Sequence, residues 1–427
     1  LATSGADIPI SGSNATAGQW RVSNEPFRFS GSGHVFSTSS ADPSLRIHQG
    51  GQLRLTNGAS FESVHTGIGA SSGQTFPSLL AVTGAQWTNS ESTKIGRGTL
   101  AVTDSATVST GSLLVGSAAG PATVRVADAN TILDINNSLV VGDTHPGTLK
   151  IERGTVSSLS STVGAIIGKS AAGTVEVGGA GGFIPQLETA SDLLVGDGAG
   201  GRLDIGANGE VGVARDLFIN GFGASPGGEV VVDGDGSTAI LSVGRELFVR
   251  ANDLQELLVL GGGVVQAQQL TIGFGQLRPG AADVTLRGTG AGDGAIALIV
   301  TDTAEDPGPV GLTRVGSTAP GLLTIQDGRL ASLRGGLRIG LGAQGIVLVS
   351  SLNALPQEFA KLKVTGETIV VGALDSYEAR CRDCHALEAT NNNYKFTFGT
   401  SDWFPLNAST VKHGNGSIEI NSNGTSY

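Results

Sequence analysis

The sequence predicts an all-β protein, a right-handed parallel β-helix (solenoid) of about ten coils followed by a small irregular C-terminal segment. Three observations predict this fold. They are a glycine-rich, charge-poor composition, two short strand patterns that alternate along the chain, and a spacing too short for each repeat to fold alone. Together they indicate many short strands that share one continuous core.

Composition excludes the common alternatives to packed β-structure. Glycine makes up 67 of the 427 residues, charged residues 15 % and aromatic residues 5 %, while hydrophobic residues still reach 39 %. Disordered chains have low hydrophobicity and high charge, and collagen places glycine at every third position. Neither description fits, so we expect packed strands with many tight turns.

Two strand patterns recur in alternation. The first alternates polar and apolar residues over four positions, and it starts at Thr99, Thr123, Thr148, Thr174, Arg202, Glu229, Leu322 and Ile346. The second ends in Val-Gly or Ile-Gly, and its glycines are Gly116, Gly142, Gly168, Gly196, Gly244, Gly273, Gly340 and Gly372. Because glycine accepts the positive φ of a sharp corner, we expect each coil to be two or three strands joined by glycine turns.

The spacing of the first pattern sets the length of a coil. Its starts at Thr99, Thr123, Thr148 and Thr174 are 24, 25 and 26 residues apart. Periods of 20–50 residues are typical of repeat proteins, whose units must stack to bury their apolar faces. A β-propeller, the rival fold, needs four strands in about 40–45 residues per blade, so the shorter spacing disfavours it.

The patterns between Leu53 and Gly372 resemble the passenger repeats of autotransporter-like and sorting-signal-bearing bacterial surface proteins. In those proteins Gly-x-Leu-x-Ile-x-x-Gly strands alternate with Leu-x-Val-Gly strands. The resemblance implies a parallel β-helix on or outside the cell surface, with a structural or adhesive role. Because the chain starts at Leu1 rather than at Met, we expect a secreted protein whose signal peptide has been removed.

Charge and hydropathy argue against two classes of partner. The formal net charge is −11 and the basic residues are scattered, so nucleic acid is not an expected partner. The longest apolar runs, such as Leu257–Leu260 and Ile296–Val300, are far shorter than the roughly 18–20 residues of a bilayer-spanning helix. We therefore expect no membrane span.

The sequence divides into three predicted parts. Residues 1–44 lack the strand-and-glycine rhythm and contain several aromatic residues, so they are predicted to cap the solenoid or to dock on a neighbouring subunit. Residues 45–373 are the predicted β-helix. Residues 374–427 hold both cysteines and six aromatic residues within 28 positions, Tyr377 to Phe404, which a solenoid core does not need.

The third part contains the sequence Cys381-Arg382-Asp383-Cys384-His385, the CxxCH pattern by which c-type cytochromes attach haem. Two thiols at this spacing can add to the two vinyl groups of haem, and the adjacent imidazole then lies under the iron. We therefore predict one covalent haem c on Cys381 and Cys384. The alternatives are a disulfide loop, a redox dithiol, which is expected beside a βαβ pattern, and a zinc site, which needs further thiols or imidazoles.

His385 is the predicted proximal ligand of the haem iron. Because the chain contains no methionine, the distal position is taken by a second histidine or stays open. His413, 28 residues downstream, is the candidate distal ligand. The other histidines lie far along the chain and would reach the iron only from a neighbouring subunit.

Two hypotheses of function follow, and neither is enzymatic, because no clustered carboxylates or nucleophile motif stand out. The first is an extracellular monohaem c-type cytochrome on a β-solenoid scaffold. Since one haem cannot carry electrons along a long scaffold, this hypothesis expects a homo-oligomer or filament, or other cytochromes as partners. The second is a structural or adhesive extracellular filament or matrix protein without a redox role.

Overall fold

The computed structural model shows an all-β protein, with no helix among the residues that it describes. Those residues are 44–347, with short gaps of which 289–295 and 302–311 are the longest, together with Leu362. Beyond them only the backbone of strands is placed. Parallel strands stack on one another as a β-solenoid, which confirms the predicted fold class.

The chain forms two compact units, and each is described by itself. The first unit comprises residues 1–204 and 208–214, and its strands are β1 (Asp7–Pro9), β2 (Ser13–Thr16), β3 (Trp20–Ser23), β4 (Pro26–Ser30), β5 (His34–Ser37), β6 (Leu45–His48), β7 (Gln52–Thr56), β8 (Ser60–Ser63), β9 (Thr66–Ile68), β10 (Ser78–Thr83), β11 (Gln86–Ile95), β12 (Gly98–Thr103), β13 (Thr107–Val115), β14 (Ala122–Val126), β15 (Ile132–Val141), β16 (Gly147–Ile151), β17 (Thr155–Ser158), β18 (Ala165–Ile167), β19 (Gly173–Val177), β20 (Gln186–Thr189), β21 (Leu193–Val195), β22 (Gly200–Ile205) and β23 (Glu210–Val213).

The second unit comprises residues 205–207 and 215–427. Its strands are β24 (Leu217–Ile219), β25 (Gly227–Asp233), β26 (Ala239–Ala251), β27 (Gln255–Leu260), β28 (Gly263–Gln276), β29 (Ala282–Arg287), β30 (Ile296–Val300), β31 (Thr313–Val315), β32 (Gly321–Gln326), β33 (Leu330–Leu333), β34 (Leu337–Ile339), β35 (Gly345–Ser350), β36 (Lys361–Val370), β37 (Tyr377–Arg382), β38 (Ala386–Thr390), β39 (Tyr394–Thr397) and β40 (Asn415–Asn421).

One coil of the first unit shows how the strands follow from the sequence pattern. β12 forms its first side, and β13 forms its second and third sides with a bend at Gly111. Along β12 the apolar Leu100 and Val102 are buried, while Thr99 between the preceding glycine and Leu100 faces outward. A Cβ on Gly111 would lie 2.3 Å from the carbonyl oxygen of Glu91, so glycine allows the close approach of the previous coil at this bend.

Successive coils of the first unit stack in register. Leu100 pairs with Val124, Val124 with Leu149, and Leu149 with Val175. All four side chains are fully buried, so equivalent apolar residues form a row along the core. Burial of apolar surface at about 25 cal/mol per Å² makes such rows the main source of stability.

The glycines of the second pattern make the corner after the third side. Gly116, Gly142 and Gly168 have φ values of 78°, 81° and 76°. A Cβ on any of them would lie 2.0–2.6 Å from a carbonyl oxygen of the following coil. Glycine is therefore required for two reasons. The backbone is left-handed at these positions, and the next coil lies too close to leave room for a Cβ.

A column of buried polar side chains lines one inner corner of the first unit. The amide nitrogen of Asn89 donates to the hydroxyls of Thr93 (3.0 Å) and Thr110 (3.1 Å), and its Oδ1 accepts from Ser63 Oγ (3.0 Å). The indole nitrogen of Trp87 also donates to Ser63 Oγ, at 3.0 Å. These bonds satisfy polar groups that burial would otherwise penalise.

The second unit repeats the coil with less regular sides. β26 and β28 run through the second and third sides of their coils, with register shifts at the bends. The pattern that ends at Gly244 lies in a second side, whereas the third side of that coil is Leu247–Val249, which no glycine follows. At another corner the fully buried Arg329 donates from both terminal nitrogens to the carbonyl oxygens of Gly261 and Gly263.

The two predicted end segments are placed only as backbone strands. β4 pairs in parallel with β7, with Phe27 opposite Leu53. Near the other end β40 pairs antiparallel with β36 and β38. The side chains of 1–43 and 374–427 lie outside the described residues, so the cap or docking role of the first segment and the haem-binding role of the last stay predictions.

Candidate functional site

The first outer face of the first unit carries straight rows of polar side chains. Its first row is a ladder of hydroxyls in register, Thr99, Thr123, Thr148 and Thr174. The next outward row contains Arg125, Lys150 and Glu176. This face therefore repeats hydroxyl groups and charges from coil to coil.

Ion pairs join neighbouring coils on this face. Arg125 Nη2 lies 2.6 Å from Glu152 Oε2, and Lys150 Nζ lies 3.0 Å from Glu176 Oε2. The hydrogen bond from Arg125 lowers the pKa of Glu152 below its ordinary value. Because these side chains are largely exposed, each pair contributes only about 0–1 kcal/mol, and the face remains hydrophilic.

The second outer face holds a carboxylate above a glycine. Glu188 is opposite Gly212 in the next strand, and a Cβ on Gly212 would lie 2.6 Å from Glu188 Oε2. Burial, and then the negative charge of Glu210, raise the pKa of Glu188. A carboxyl group with a raised pKa keeps its proton to a higher pH than usual, but this alone specifies no reaction.

The third outer face of the first unit carries an apolar row. Leu114, Val140, Ile166 and Leu194 pair in register on β13, β15, β18 and β21. Each is the outward residue between two buried ones, and we call these four residues the aliphatic ladder. Val140 is 4 % exposed and the other three are half-buried. Outward rows on the other two faces are mostly polar, so this row distinguishes the third face.

The second unit has a cluster of charged side chains around Asp216. Arg245 binds this carboxylate with two nitrogens, one of them Nε at 2.7 Å from Oδ1, and the backbone nitrogen of Glu246 donates to the same oxygen at 3.1 Å. Glu246 in turn accepts from the hydroxyl of Thr271 and from Arg314 Nη1 at 3.2 Å. The negative charges of the two carboxylates are thus paired with the positive charges of the two guanidinium groups.

Glu246 is a partly buried carboxyl group within this cluster. Burial raises the pKa of Glu246, while the hydrogen bond from Thr271 and the charge of Arg314 oppose the rise. Asp216 and Glu246 both accept hydrogen bonds from donors of the protein itself. The cluster therefore fits a structural network of ion pairs better than a catalytic site.

Aromatic rings lie beside this cluster. Phe218 and Phe248 are stacked with ring centroids 4.8 Å apart and planes 2° apart, and Phe274 is tilted against Phe248 at 5.1 Å. The rings are half-buried, so the second unit also places apolar surface on its third side.

Metal-ligating residues are dispersed in the described ranges. No group of three or more His, Cys, Asp or Glu side chains within 44–347 is arranged to hold a metal ion. Of the predicted haem residues, Cys381 lies on β37, opposite Val349 of β35, with a side chain that is not described. Cys384, His385 and His413 lie outside the described residues, so the haem c and its ligands stay predictions.

Comparisons with known proteins return no relative. No family model matches the chain, and no curated protein or solved structure matches it. Among the described residues there is no helix long and apolar enough to cross a membrane.

The aliphatic ladder was not among the sequence-based predictions, although the sequence carries a signal for it. In Leu113-Leu114-Val115 and in Leu193-Leu194-Val195 the residue between two core residues is itself apolar, where a polar residue would suffice. The charged cluster around Asp216 gave no such signal, because its members lie up to 98 positions apart, from Asp216 to Arg314, and only coil stacking brings them together.

Proposed function

We propose that this chain is an extracellular structural scaffold, a β-solenoid subunit that associates with copies of itself in a filament or matrix. The observation that carries the proposal is the in-register stacking of coils. In a solenoid the core is filled by its own side chains, so other molecules meet the outer faces, where the same kind of side chain recurs every 4.7–4.9 Å.

Two further observations support the scaffold. The first outer face repeats Thr99, Thr123, Thr148 and Thr174, so repeated weak contacts are available along the stack. The resemblance of the strand patterns to passenger repeats of bacterial surface proteins supports a location outside the cell. Repeated contacts gain strength through multivalency without any single strong site.

Self-association of the purified full chain tests this proposal. We expect sedimentation velocity to show reversible association as the concentration rises from about 10 µM to about 1 mM, because contacts of this kind are weak singly. Electron micrographs at the upper concentration are expected to show lateral or end-to-end assemblies. A single monomeric species over the whole range would overturn the scaffold proposal.

A second candidate function rests on the CxxCH pattern at Cys381–His385. In this proposal one haem c is attached through Cys381 and Cys384, His385 binds the iron, and His413 is the distal ligand. The assembly would then pass electrons between haems of neighbouring copies or to partner cytochromes.

The haem proposal is tested on protein made in a host that matures c-type cytochromes. A pyridine haemochrome spectrum and an intact mass are expected to show one covalent haem, lost in the Cys381→Ser, Cys384→Ser double variant. His413→Ala is expected to change the spectrum of the bound haem if His413 is the distal ligand. Protein of unmodified polypeptide mass would refute electron transfer and leave the scaffold proposal standing.

A further inference from the structure

We propose that Asn136 carries an N-linked glycan, attached by an oligosaccharyltransferase of the bacterial type. Asn136 opens the sequence Asn136-Asn137-Ser138, which has the Asn-x-Ser/Thr form of a glycosylation acceptor. The inference rests on the proposed location outside the cell, because such glycans are found on secreted proteins. It adds a site of covalent modification to the proposed scaffold.

Asn136 lies at a bend of its coil. β15 runs through the second and third sides of this coil, and its register with β13 shifts at the bend, where Asn136 and Asn137 lie opposite the single residue Gly111. Two residues opposite one form a β-bulge, which bends the strand. Both asparagine side chains are exposed at this bulge, so the acceptor amide faces solvent.

The neighbouring coils leave room for a sugar at this position. In the preceding coil the opposite residue is Gly111, which has no side chain to cover Asn136. In the following coil β17 pairs with β15 up to Ile135, and β18 pairs with it again from Leu139. The strand pairing with that coil is therefore interrupted beside Asn136, and a ring attached there extends into solvent.

The amide of Asn136 can form the new bond without losing its contact in the coil. Nδ2 carries two hydrogens, and it donates one of them to Ser109 Oγ at 3.3 Å. In the transfer Nδ2 loses a proton and bonds to C1 of the sugar of a lipid-linked oligosaccharide. The bond between C1 and the diphosphate oxygen breaks, and the lipid diphosphate leaves with that electron pair. The hydrogen that remains on Nδ2 can still be donated to Ser109.

An acidic residue distinguishes Asn136 from the other acceptor sequences. Acceptor sites of bacterial oligosaccharyltransferases carry an aspartate or glutamate two positions before the asparagine, and Asp134 occupies that position. The four further Asn-x-Ser/Thr sequences start at Asn14, Asn407, Asn415 and Asn423, and the residues two positions before them are Gly12, Pro405, His413 and Asn421. By this criterion Asn136 is the expected acceptor.

The position of the glycan is compatible with the proposed scaffold. The bend at Asn136 joins the second and third sides of its coil, so it is the corner opposite the first side. The row of threonines that begins at Thr99 lies on the first outer face. A glycan on Asn136 therefore leaves that row uncovered for contacts between copies.

Peptide mapping by mass spectrometry tests the proposal on the full chain recovered from the medium or surface of the cells that produce it naturally. Trypsin releases Asn136 within the peptide Val126–Lys150, because no lysine or arginine lies between Arg125 and Lys150. We expect this peptide to carry added carbohydrate mass. Asn136→Gln, made in the same cells, is expected to reduce the glycosylated fraction at least about tenfold.

Three variants serve as controls for the assignment. Asn137→Gln changes the adjacent exposed amide but keeps the acceptor sequence, so the glycosylated fraction should stay within about twofold of the parent. Ser138→Ala should lose the glycan, whereas Ser138→Thr, which keeps the hydroxyl, should retain it. Far-UV circular dichroism verifies that each variant is folded.

Asp134→Asn tests the type of transferase and is expected to lower the glycosylated fraction at least about tenfold. An unchanged fraction would overturn the bacterial type of recognition. Val126–Lys150 without added mass in the parent chain would overturn the glycan and leave the scaffold standing, as would equal losses in Asn136→Gln and Asn137→Gln. Recovery of the chain only from inside the cells would overturn the proposed location, and this inference with it.

Discussion

Replacing Gly142 by alanine should destabilise the first unit much more than replacing Gly58 by alanine. Both glycines have a left-handed backbone, with φ values of 81° and 76°. A Cβ on Gly142 would lie 2.3 Å from the carbonyl oxygen of Ala171, in the next coil, whereas nothing lies within 4 Å of a Cβ on Gly58. The pair therefore separates the cost of backbone conformation from the cost of close approach between coils.

The magnitudes follow from these two terms. A left-handed conformation costs a residue with a Cβ about 1–2 kcal/mol, partly offset by about 0.4–1 kcal/mol because alanine restricts the unfolded chain. Gly58→Ala should therefore lower the free energy of unfolding by about 1 kcal/mol. Gly142→Ala adds an overpacking term of about 1–3 kcal/mol, because backbone on both sides must separate, so its total loss should be about 2–4 kcal/mol.

Urea denaturation followed by far-UV circular dichroism measures both losses. Midpoints are compared at equal slope, since an altered slope would report a change in the amount of surface exposed. Asparagine variants sharpen the comparison: Asn tolerates a left-handed backbone, so Gly58→Asn should be nearly neutral while Gly142→Asn keeps the steric cost. Equal losses at the two positions would refute the argument that the distance between coils makes Gly142 necessary.

Three other perturbations have expected outcomes. Asn89→Leu should lower the free energy of unfolding, measured by urea denaturation, by about 2–4 kcal/mol, because buried hydroxyls lose their partner. The control Thr88→Ala, at an outward position, should change it by less than about 0.5 kcal/mol. A similar effect of both variants would contradict the role of the polar column. Arg125→Gln should lower the free energy of unfolding by less than about 1 kcal/mol. This difference from the parent should vanish in about 1 M salt, and it should also vanish as pH falls through the lowered pKa of Glu152. Burial raises the pKa of Glu246, so its ionisation penalises the folded state increasingly as pH rises from its ordinary value of 4.5 to the raised folded value. Glu246→Gln should therefore gain stability relative to the parent as pH rises through that window, measured by thermal melting, and a constant difference across pH would contradict the assignment.

Much of the core could be predicted from local sequence. Alternation places Leu100 and Val102 inside β12, and the Val-Gly and Ile-Gly pairs mark corners such as Gly116 and Gly142, because side-chain direction in a strand and positive φ at a corner are local properties. The same reasoning could not decide which side of a coil a pattern occupies. The pattern that ends at Gly244 forms the second side of its coil. The third side is the segment that follows it, Leu247–Val249.

The candidate surfaces were less predictable than the core. The polar column around Asn89 links Ser63 with Thr110, and the charged cluster links Asp216 with Arg314, across distances along the chain that no local pattern reports. The aliphatic ladder needs the register of four strands to become a row. The CxxCH pattern at Cys381–His385 is the opposite case, a local signal whose haem remains a prediction for chemical analysis.

The all-β solenoid could be predicted from the amino-acid sequence, because strand alternation and glycine corners are local properties and the first strand pattern recurs every 24–26 residues. Which residues become neighbours from one coil to the next depends on the register in which the coils stack. A shift of one residue in register would turn every outward side chain inward, so the rows of threonine, of charge and of aliphatic residues exist only once the coils have stacked.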